Sequence, residues 1–396
     1  MALPAVAEPG GRRRLELLDV LRFVAALMVV GFHWLFNGIY NGKVTSLTHG
    51  PLADVAAYGY FGVHLFFIIS GYVISTSARG RTAGRFAAGR AERLFPAYWV
   101  GMTVTSLVAI GWGATVMDRV GWRQFLANLT MAPGLFGQKP IDGVYWTLTV
   151  ELSFYVLVFG LLFLGLGRFL ERFFPLWAVG MLLVMLVAPQ HADLPYAGGY
   201  YALFAGGAIM ATIRRRGFHW YQLVGLAAAG IVVARFVARQ TTSFNLQRGT
   251  ELSQIGVVAL VAVFFALVAL MWIPRVADLR VPFSRQISDL TYPVYLLHAH
   301  LGYMALQAFA DDRNAAIVYP LLFLALLASA WLLHRVVEVG MKTIWRSFFG
   351  TVLERPVTWL RRRTRLDRFD RSDGSAVTAP GETPPPRATP PAVPRS

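Results

Sequence analysis

The chain has 396 residues, of which 56% are hydrophobic and only 15% are charged, and it contains no cysteine. A soluble domain carries about 25% charged residues, so the composition excludes a soluble protein, and the lack of cysteine excludes disulfides, thiolate metal sites and a cysteine acyl-enzyme. A net charge of +16 would suggest nucleic-acid binding in a soluble protein, but basic loops also orient membrane helices.

Apolar blocks recur along the chain, and each is about 17–22 residues long, enough to cross a hydrocarbon core about 30 Å thick. Backbone polar groups find no water partner in lipid, so these blocks must be helical. The sequence therefore predicts an all-α, polytopic integral membrane protein. About ten transmembrane helices are predicted, at residues 16–36, 58–78, 95–114, 144–165, 174–189, 196–213, 221–238, 253–272, 290–309 and 314–335.

The basic residues indicate the orientation of these helices, because cytoplasmic loops carry an excess of Lys and Arg. With the N-terminus inside, the inner segments ahead of the C-terminal region hold sixteen basic residues and the outer loops hold seven. This bias favours N-in and C-in ends and an even number of spans. The first span exceeds the roughly 7–15 residues of a signal-peptide core and no A-x-A site follows it, so we expect an uncleaved helix.

Four segments are predicted: a cytoplasmic N-terminal segment (1–15), a transmembrane domain (16–338), a basic juxtamembrane segment (339–371) and a Pro-rich tail (372–396). The juxtamembrane segment interleaves arginines with aromatic and apolar residues. This pattern favours a basic helix lying on anionic lipid over an arm that binds nucleic acid. The tail has seven prolines and no aromatic residue, a composition typical of disorder.

The first predicted span contains Asp19, Arg22 and His33. A charged side chain at mid-bilayer costs about 2.5–3.5 kcal/mol on insertion scales, so such residues are candidates for function. Asp19 and Arg22 lie three residues apart, and one interpretation is a snorkelling pair near the inner interface. Arg22 and His33 share a helix face about 16 Å apart along the axis. They then mark two levels of one interior path, unless His33 is an ordinary interior histidine.

The second predicted span brings in a further histidine. His64 enters it from the outer side, at a depth similar to that of His33. Ser70 and Gly71 follow, and small residues such as these allow a neighbouring helix to approach closely. We therefore expect simple helix packing at Ser70 and Gly71.

The inner loop after the second span is rich in arginine. Arg90 and Arg93 form an R-x-x-R on one helical face, with Arg85 nearby. Forked guanidinium groups suit phosphate geometry, so one interpretation is a cytoplasmic clamp for an anion. The other is a positive-inside loop without a ligand.

The fourth span holds Glu151, with Thr147 and Tyr155 four residues to either side. A lone carboxylate at this depth needs a partner, and His33 or an arginine is the natural one.

The ninth span holds Tyr292, Tyr295, His298 and His300. We expect His298 to be interior and assign no role to His300.

Five sequence blocks, in this order, resemble those of the membrane-bound acyltransferase 3 family, integral membrane proteins that O-acylate sugars and other hydroxyl acceptors. The family's R-x10-H is present in LDVLRFVAALMVVGFH, and its G-V-x-L-F-F-x-x-S-G block resembles GYFGVHLFFIISGYVIS. Its R-x-x-R is present as Arg90 and Arg93 at the start of RAERLFPAYW. Its W-S-L-x-x-E-x-x-F-Y block is similar to YWTLTVELSFY, and its late S-Y-x-x-Y-L-x-H block is similar to SDLTYPVYLLH. The resemblance covers about residues 15–340. It departs at His64, where the family often has Asp, and at Thr147, where it usually has Ser.

The resemblance implies a mechanism in which cytoplasmic acyl-CoA is the donor and meets Arg85, Arg90 and Arg93. Arg22 would hold a phosphate, the pantetheine or a carbonyl deeper in. His33 would be the general base for the acceptor hydroxyl, since a neutral imidazole suits that task near pH 7; a transient acyl-His relay is the open alternative. Glu151 would orient His33 or stabilise its imidazolium. The residues expected to contact the acceptor or line the pore are Asp19, His64, Ser70, Trp146, Tyr155, Tyr295 and His298.

The acceptor is then a glycan, a lipid-linked sugar or a small hydroxyl compound, and family habit favours acetyl as the acyl group. We expect no metal site, since no metal-ligand spacing of histidines occurs, no permanently bound cofactor and no nucleic acid. The expected partners are acyl-CoA, the acceptor and membrane lipids, and the oligomeric state is left open. The location expected from the family and from the Ala, Gly and Arg content is a bacterial plasma (inner) membrane.

Two other functions compete with acyl transfer. A secondary transporter or a flippase for lipid-linked sugar would use Asp19, Arg22 and Glu151 to carry substrate or protons, but the two halves show no internal repeat of the kind that many transporters have. A scaffold for polysaccharide export explains neither the charges in the spans nor the ordered blocks.

Overall fold

The computed structural model describes residues 14–112, 116–364 and 366. The predicted tail, residues 372–396, and nearly all of the predicted N-terminal segment lie outside these described residues. Within them the regular structure is helical and contains no strand, which confirms the all-α prediction. The α-helices of eight or more residues are α1 (Glu16–Phe32), α2 (Gly62–Ala78), α3 (Ala83–Trp112), α4 (Trp146–Phe163), α5 (Leu170–Val187), α6 (Tyr200–Arg216), α7 (Trp220–Arg248), α8 (Gln254–Ala269), α9 (Ser284–Leu297), α10 (His300–Phe309), α11 (Ala315–Leu333), α12 (Lys342–Phe349) and α13 (Arg355–Arg363).

Each of the ten predicted spans contains a helix, and eight continuous helical stretches of the described chain are long and apolar enough to cross a membrane. The chain is therefore a multi-pass membrane protein. The two spans that fall short do so for different reasons. Helix α6 stays at 17 residues, whereas helices such as α1 and α8 are lengthened by an adjoining helical turn. The predicted ninth span is divided into α9 and α10.

The division between α9 and α10 falls at His298 and Ala299, and distant side chains bind the backbone groups that it releases. The indole Nε1 of Trp34 donates to the carbonyl oxygen of His298 at 2.7 Å. The carboxylate of Asp142 accepts from the backbone N–H of His300 at 2.9 Å. Since an unsatisfied backbone group is costly away from water, these two contacts stabilise the break.

Loops at the two ends of the bundle are joined by separate sets of polar contacts. At one end, Glu171 beside the start of α5 pairs with Arg79 after α2 at 3.1 Å and with Arg215 in the last turn of α6. At the other end, Asp142 before α4 pairs with His300 at the start of α10. The chain thus alternates between two faces, as successive membrane crossings require.

Helices α2 and α6 pack with their backbones in direct contact. A Cβ atom built on Gly71 would lie 2.1 Å from the carbonyl oxygen of Phe204, and one built on Gly207 would lie 1.9 Å from that of Ile68. Any side chain at either position would force the helices apart. The expected role of Gly71 in helix packing is therefore confirmed, and it fixes α2 beside the cavities described next.

Candidate active site

Two adjoining cavities lie among α1, α2, α4 and α9, and α3 adds a wall to one of them. The arginine cavity measures about 80 Å³, and its polar lining includes Arg22, Ser70, Arg90, Arg93, Glu151 and Tyr155. The histidine cavity measures about 180 Å³, and its polar lining includes His33, Asn37, Lys43, Asp142, Arg248 and His300. Val63, Thr147 and Tyr295 line both. The chain therefore carries two chambers that share one wall.

The shared wall contains a pair of hydroxyl groups. The Oγ1 atom of Thr147 and the phenolic oxygen of Tyr295 are 2.6 Å apart, and the hydroxyl of Tyr295 also donates to the carbonyl oxygen of Val144 at 3.0 Å. Both side chains are buried. A substrate that joined the two cavities would have to pass these hydroxyls or displace them.

The arginine cavity carries an excess of positive charge, because Glu151 is the only carboxylate in its described lining, against three arginines. Glu151 accepts hydrogen bonds from Ser70 at 2.8 Å and from Tyr155 at 2.6 Å. The guanidinium of Arg90 lies 5.7 Å from the ring centroid of Tyr155. Guanidinium groups bind carboxylate and phosphate oxygens through paired hydrogen bonds, so this chamber suits an anionic group.

His33 lies where α1 widens into a π-helical turn, His33–Asn37, a feature often found at functional sites. Its Nδ1 lies 2.8 Å from the carbonyl oxygen of Val29 and 3.3 Å from Nε2 of His298. His298 in turn places its Nδ1 2.8 Å from the carbonyl oxygen of Tyr295. A carbonyl only accepts, so the contacts assign the hydrogen to Nδ1 in both rings. Nε2 of His33 then keeps its lone pair, as a general base needs.

The far wall of the histidine cavity is built from a chain of three charged or polar groups. The buried carboxylate of Asp142 accepts from Nδ1 of His300 at 2.8 Å, and Nε2 of His300 lies 3.0 Å from Nζ of Lys43. Burial alone would raise the pKa of Asp142, but the contacts with His300 outweigh it and leave that pKa below its ordinary value. Burial lowers the pKa of Lys43, and the nearby carboxylates of Asp142 and Asp118 oppose this shift.

The predicted site residues divide between the two cavities. The structure brings Arg22, Arg90, Arg93 and Glu151 together, with Ser70 and Tyr155, in the arginine cavity. It places Trp146 with His33 in the histidine cavity and Tyr295 in both. His298 lies behind His33 and contacts its ring.

Two expected contacts do not form. Glu151 is bound to Ser70 and Tyr155 in the arginine cavity, so the partner of His33 is His298 and not Glu151. Arg85 lies outside the cavity and pairs with Glu354 on the surface at 3.3 Å. The reason is rotation: Arg85 lies five residues before Arg90, and α3 turns it towards the C-terminal helices.

Two residues expected to line the pore lie elsewhere. Asp19 faces α9 and not Arg22, since its carboxylate accepts from Arg14 at 2.6 Å and from Ser288 at 2.8 Å. His64 is fully buried and packs among the rings of four aromatic residues. They are Tyr60, Phe61, Tyr200 and Phe236.

The histidine cavity is lined by four charged or imidazole side chains that were given no role from the sequence: Lys43, Asp142, Arg248 and His300. The first three lie at or beyond helix ends, where no periodic pattern marks them. In a continuous helix the spacing of two between His298 and His300 turns their side chains to nearly opposite sides, so no helical pattern relates His300 to the site. The break makes His300 a wall of the cavity.

A family model for an acyltransferase domain matches residues 15–335. Two curated relatives match shorter stretches. Nodulation protein 10 of Rhizobium leguminosarum bv. viciae is 31% identical over 156 residues, which is 35% of this chain and 41% of the relative. The O-acetyl transferase of Shigella phage Sf6 is 29% identical over 153 residues, 35% of this chain and 43% of the relative.

The matched stretches thus span about two fifths of each relative's length. No solved structure matches the chain. The family model covers most of the chain, however, and the same span contains both cavities. The chain belongs to the acyltransferase 3 family.

Proposed function

We propose that this protein transfers an acyl group, acetyl being the simplest choice, from cytoplasmic acyl-CoA to a hydroxyl of a carbohydrate or related acceptor. The observation that carries the proposal is the shared wall between a cationic cavity and a cavity that contains His33. Family membership supports acyl transfer, and the name of the phage relative supports the O-acetyl product.

The arginine cavity is the proposed donor site. The positive-inside rule places the ends of helices near Arg90 and Arg93 on the cytoplasmic side, where acyl-CoA is found. Arg90 and Arg93 would bind the anionic donor through charge-assisted hydrogen bonds. Arg22 lies beside them on α1 and would receive the thioester end as it passes towards the shared wall.

The histidine cavity is the proposed acceptor site. Nε2 of His33 takes the proton of the acceptor hydroxyl while that oxygen attacks the carbonyl carbon of the thioester. The new C–O bond forms, the C–S bond breaks, and the imidazolium returns the proton to the departing thiolate as CoA–SH. The acid and base steps are thereby both assigned to one ring.

Release of CoA in membranes supplied with acetyl-CoA and glycan extract tests the proposal. Wild type and the control His191→Ala, which changes an exposed histidine, should release CoA only when acceptor is added. His33→Ala should lose this release by at least about 10²-fold, the usual contribution of a general base. Full activity in His33→Ala at equal expression would overturn the base assignment. If folded wild type neither bound nor consumed any of a panel of acyl-CoAs, the enzyme proposal itself would fail.

A further inference from the structure

The histidine cavity has two cations in its described lining, Lys43 and Arg248, and a single carboxylate, Asp142. The described lining therefore holds more cationic than anionic side chains. An acceptor site for neutral hydroxyl compounds needs neither cation.

The carboxylate of Asp142 already accepts three hydrogen bonds. It is completely buried, and its carboxylate accepts from Nδ1 of His300, from the backbone N–H of His300 and from the backbone N–H of Val144, at 2.8, 2.9 and 3.1 Å. These contacts saturate most of the acceptor capacity of a carboxylate. Asp142 thus stabilises the break before α10 and fixes His300, and it forms no ion pair with either cation of the cavity.

Lys43 is held in place by two hydrogen bonds to groups other than carboxylates, and it forms no ion pair with a described carboxylate. Its ammonium donates to the carbonyl oxygen of Val116 and to Nε2 of His300, each at 3.0 Å. An ammonium only donates and a carboxylate only accepts, so these contacts assign the hydrogen of His300 to Nδ1, which faces Asp142 at 2.8 Å, and make both acceptors of Lys43 neutral. An ammonium has three N–H donors, so one remains for a ligand, and its direction is already fixed.

Arg248 approaches the same cavity from the last turn of α7. Its guanidinium carbon lies 4.3 Å from the ring centroid of Phe244, so the aromatic ring holds the planar group without neutralising it. Its Nε is buried and has no hydrogen-bond partner among the described residues. It also forms no ion pair with a described carboxylate. A buried donor without a partner is costly, and a ligand oxygen would satisfy it.

We infer that the histidine cavity takes an acceptor that carries a negatively charged group, a carboxylate or a phosphate, bound by Lys43 and Arg248 while a hydroxyl of the same molecule faces His33. This inference rests on the proposed function, since it names the class of acceptor for the same site. For this acceptor Asp142 and His300 are positioning residues, because they affect its binding only by holding Lys43 in place.

The test compares matched acceptors with the purified full-length chain: glucose as the neutral probe, glucuronic acid as the carboxylate and glucose 1-phosphate as the phosphate. Equilibrium binding and acetyl transfer from acetyl-CoA are both measured. The variants are Lys43→Gln and Arg248→Gln, and the matched controls are Lys139→Gln and Arg313→Gln, which change exposed residues. Wild type and controls should bind a charged probe at least about tenfold better than glucose, the size of one charge-assisted hydrogen bond. Each variant should lose that preference, so that it binds the charged probes about as well as glucose, whereas the controls keep it.

The two charged probes separate the sources of the anion: stronger binding of glucuronic acid identifies an acidic sugar, and stronger binding of glucose 1-phosphate identifies a phosphorylated one. Equal binding of all three probes by wild type, or equal losses on charged and neutral probes in the variants, would overturn the inference. Acetyl transfer without charge preference would overturn this inference and leave the proposed function standing. Preferential anion binding by a chain that never binds or consumes acyl-CoA would overturn the proposed function and leave the anion site standing.

Discussion

The imidazole of His298 lies against that of His33, with Nε2 of the first 3.3 Å from Nδ1 of the second, although 265 positions separate them. Each ring directs its Nδ1 to a backbone carbonyl, so the pair is ordered: Tyr295 fixes His298, and His298 with Val29 fixes His33. The proposed base thus owes its orientation to a second histidine and to two main-chain oxygens, and not to a carboxylate.

The first prediction concerns His298. His298→Phe keeps a buried ring of similar shape but removes the Nε2 that contacts His33. We expect kcat of acyl transfer to fall by about tenfold to a hundredfold, the cost of misplacing a reacting group, with KM for acyl-CoA unchanged. His298→Gln, which retains an acceptor, should recover part of the loss. A change in KM alone, or no recovery by Gln, would contradict a positioning role.

The second prediction separates three arginines in the first turns of α3. Arg90→Gln and Arg93→Gln each remove a charge that lines the arginine cavity, whereas Arg85→Gln removes one that pairs with Glu354 on the surface. We expect KM for acyl-CoA to rise by about tenfold or more for each of the first two and to stay within about twofold for Arg85→Gln, since exposed ion pairs contribute little. Steady-state kinetics in membranes measures this. Equal effects of all three would show that these arginines act only through their combined charge.

Residues that share one helix could be related from the sequence, whereas partners on different helices could not. The eleven-residue spacing placed Arg22 and His33 on one helix face at two depths. In the structure Arg22 lines one of the two adjoining cavities and His33 lines the other. Which groups they meet there depends on how each surrounding helix is rotated and where it breaks. Glu151 was a reasonable partner for His33 by depth, yet the rotation of α4 points it at Ser70 and Tyr155.

The break between α9 and α10 likewise could not be predicted from the sequence. Hydropathy predicted one span over 290–309, because the apolar pattern continues through the break. The break is stabilised by Trp34 and Asp142, which lie far away in the sequence, so no local signal marks it. The break nonetheless determines the arrangement of the site, since it places His298 behind His33 and His300 in the cavity wall.

The third prediction tests the contact between α2 and α6. Gly71→Ala places a Cβ 2.1 Å from the carbonyl oxygen of Phe204, a distance that requires the backbones to separate. Gly180→Ala is the control, because a Cβ there meets nothing within 4 Å and Ala favours a helix by about 1 kcal/mol over Gly. Thermal unfolding of purified protein should show a lower Tm for Gly71→Ala and an equal or higher Tm for Gly180→Ala. An unchanged Tm in Gly71→Ala would mean that the two helices are not in backbone contact.

The fourth prediction is a pH dependence of stability that comes from Asp142. Its pKa in the folded protein lies below the ordinary value, because the contacts with His300 and with the backbone N–H of Val144 outweigh the burial that would raise it. A carboxyl of this kind stabilises the fold above its unfolded pKa of about 4. That stabilisation is lost as the pH falls from there towards the folded pKa.

Thermal unfolding of the purified chain between pH 8 and pH 3 measures this effect. Wild type should keep a nearly constant Tm down to about pH 5 and lose Tm below about pH 4. Asp142→Asn should start lower at pH 7, because it leaves His300 and the break before α10 without their carboxylate, and should fall less steeply in the acid range. Asp118→Asn, which changes an exposed carboxylate, should follow wild type. Parallel curves for wild type and Asp142→Asn would mean that Asp142 carries no charge at neutral pH, and Lys43 would then lack the fixed His300 on which its place in the cavity depends.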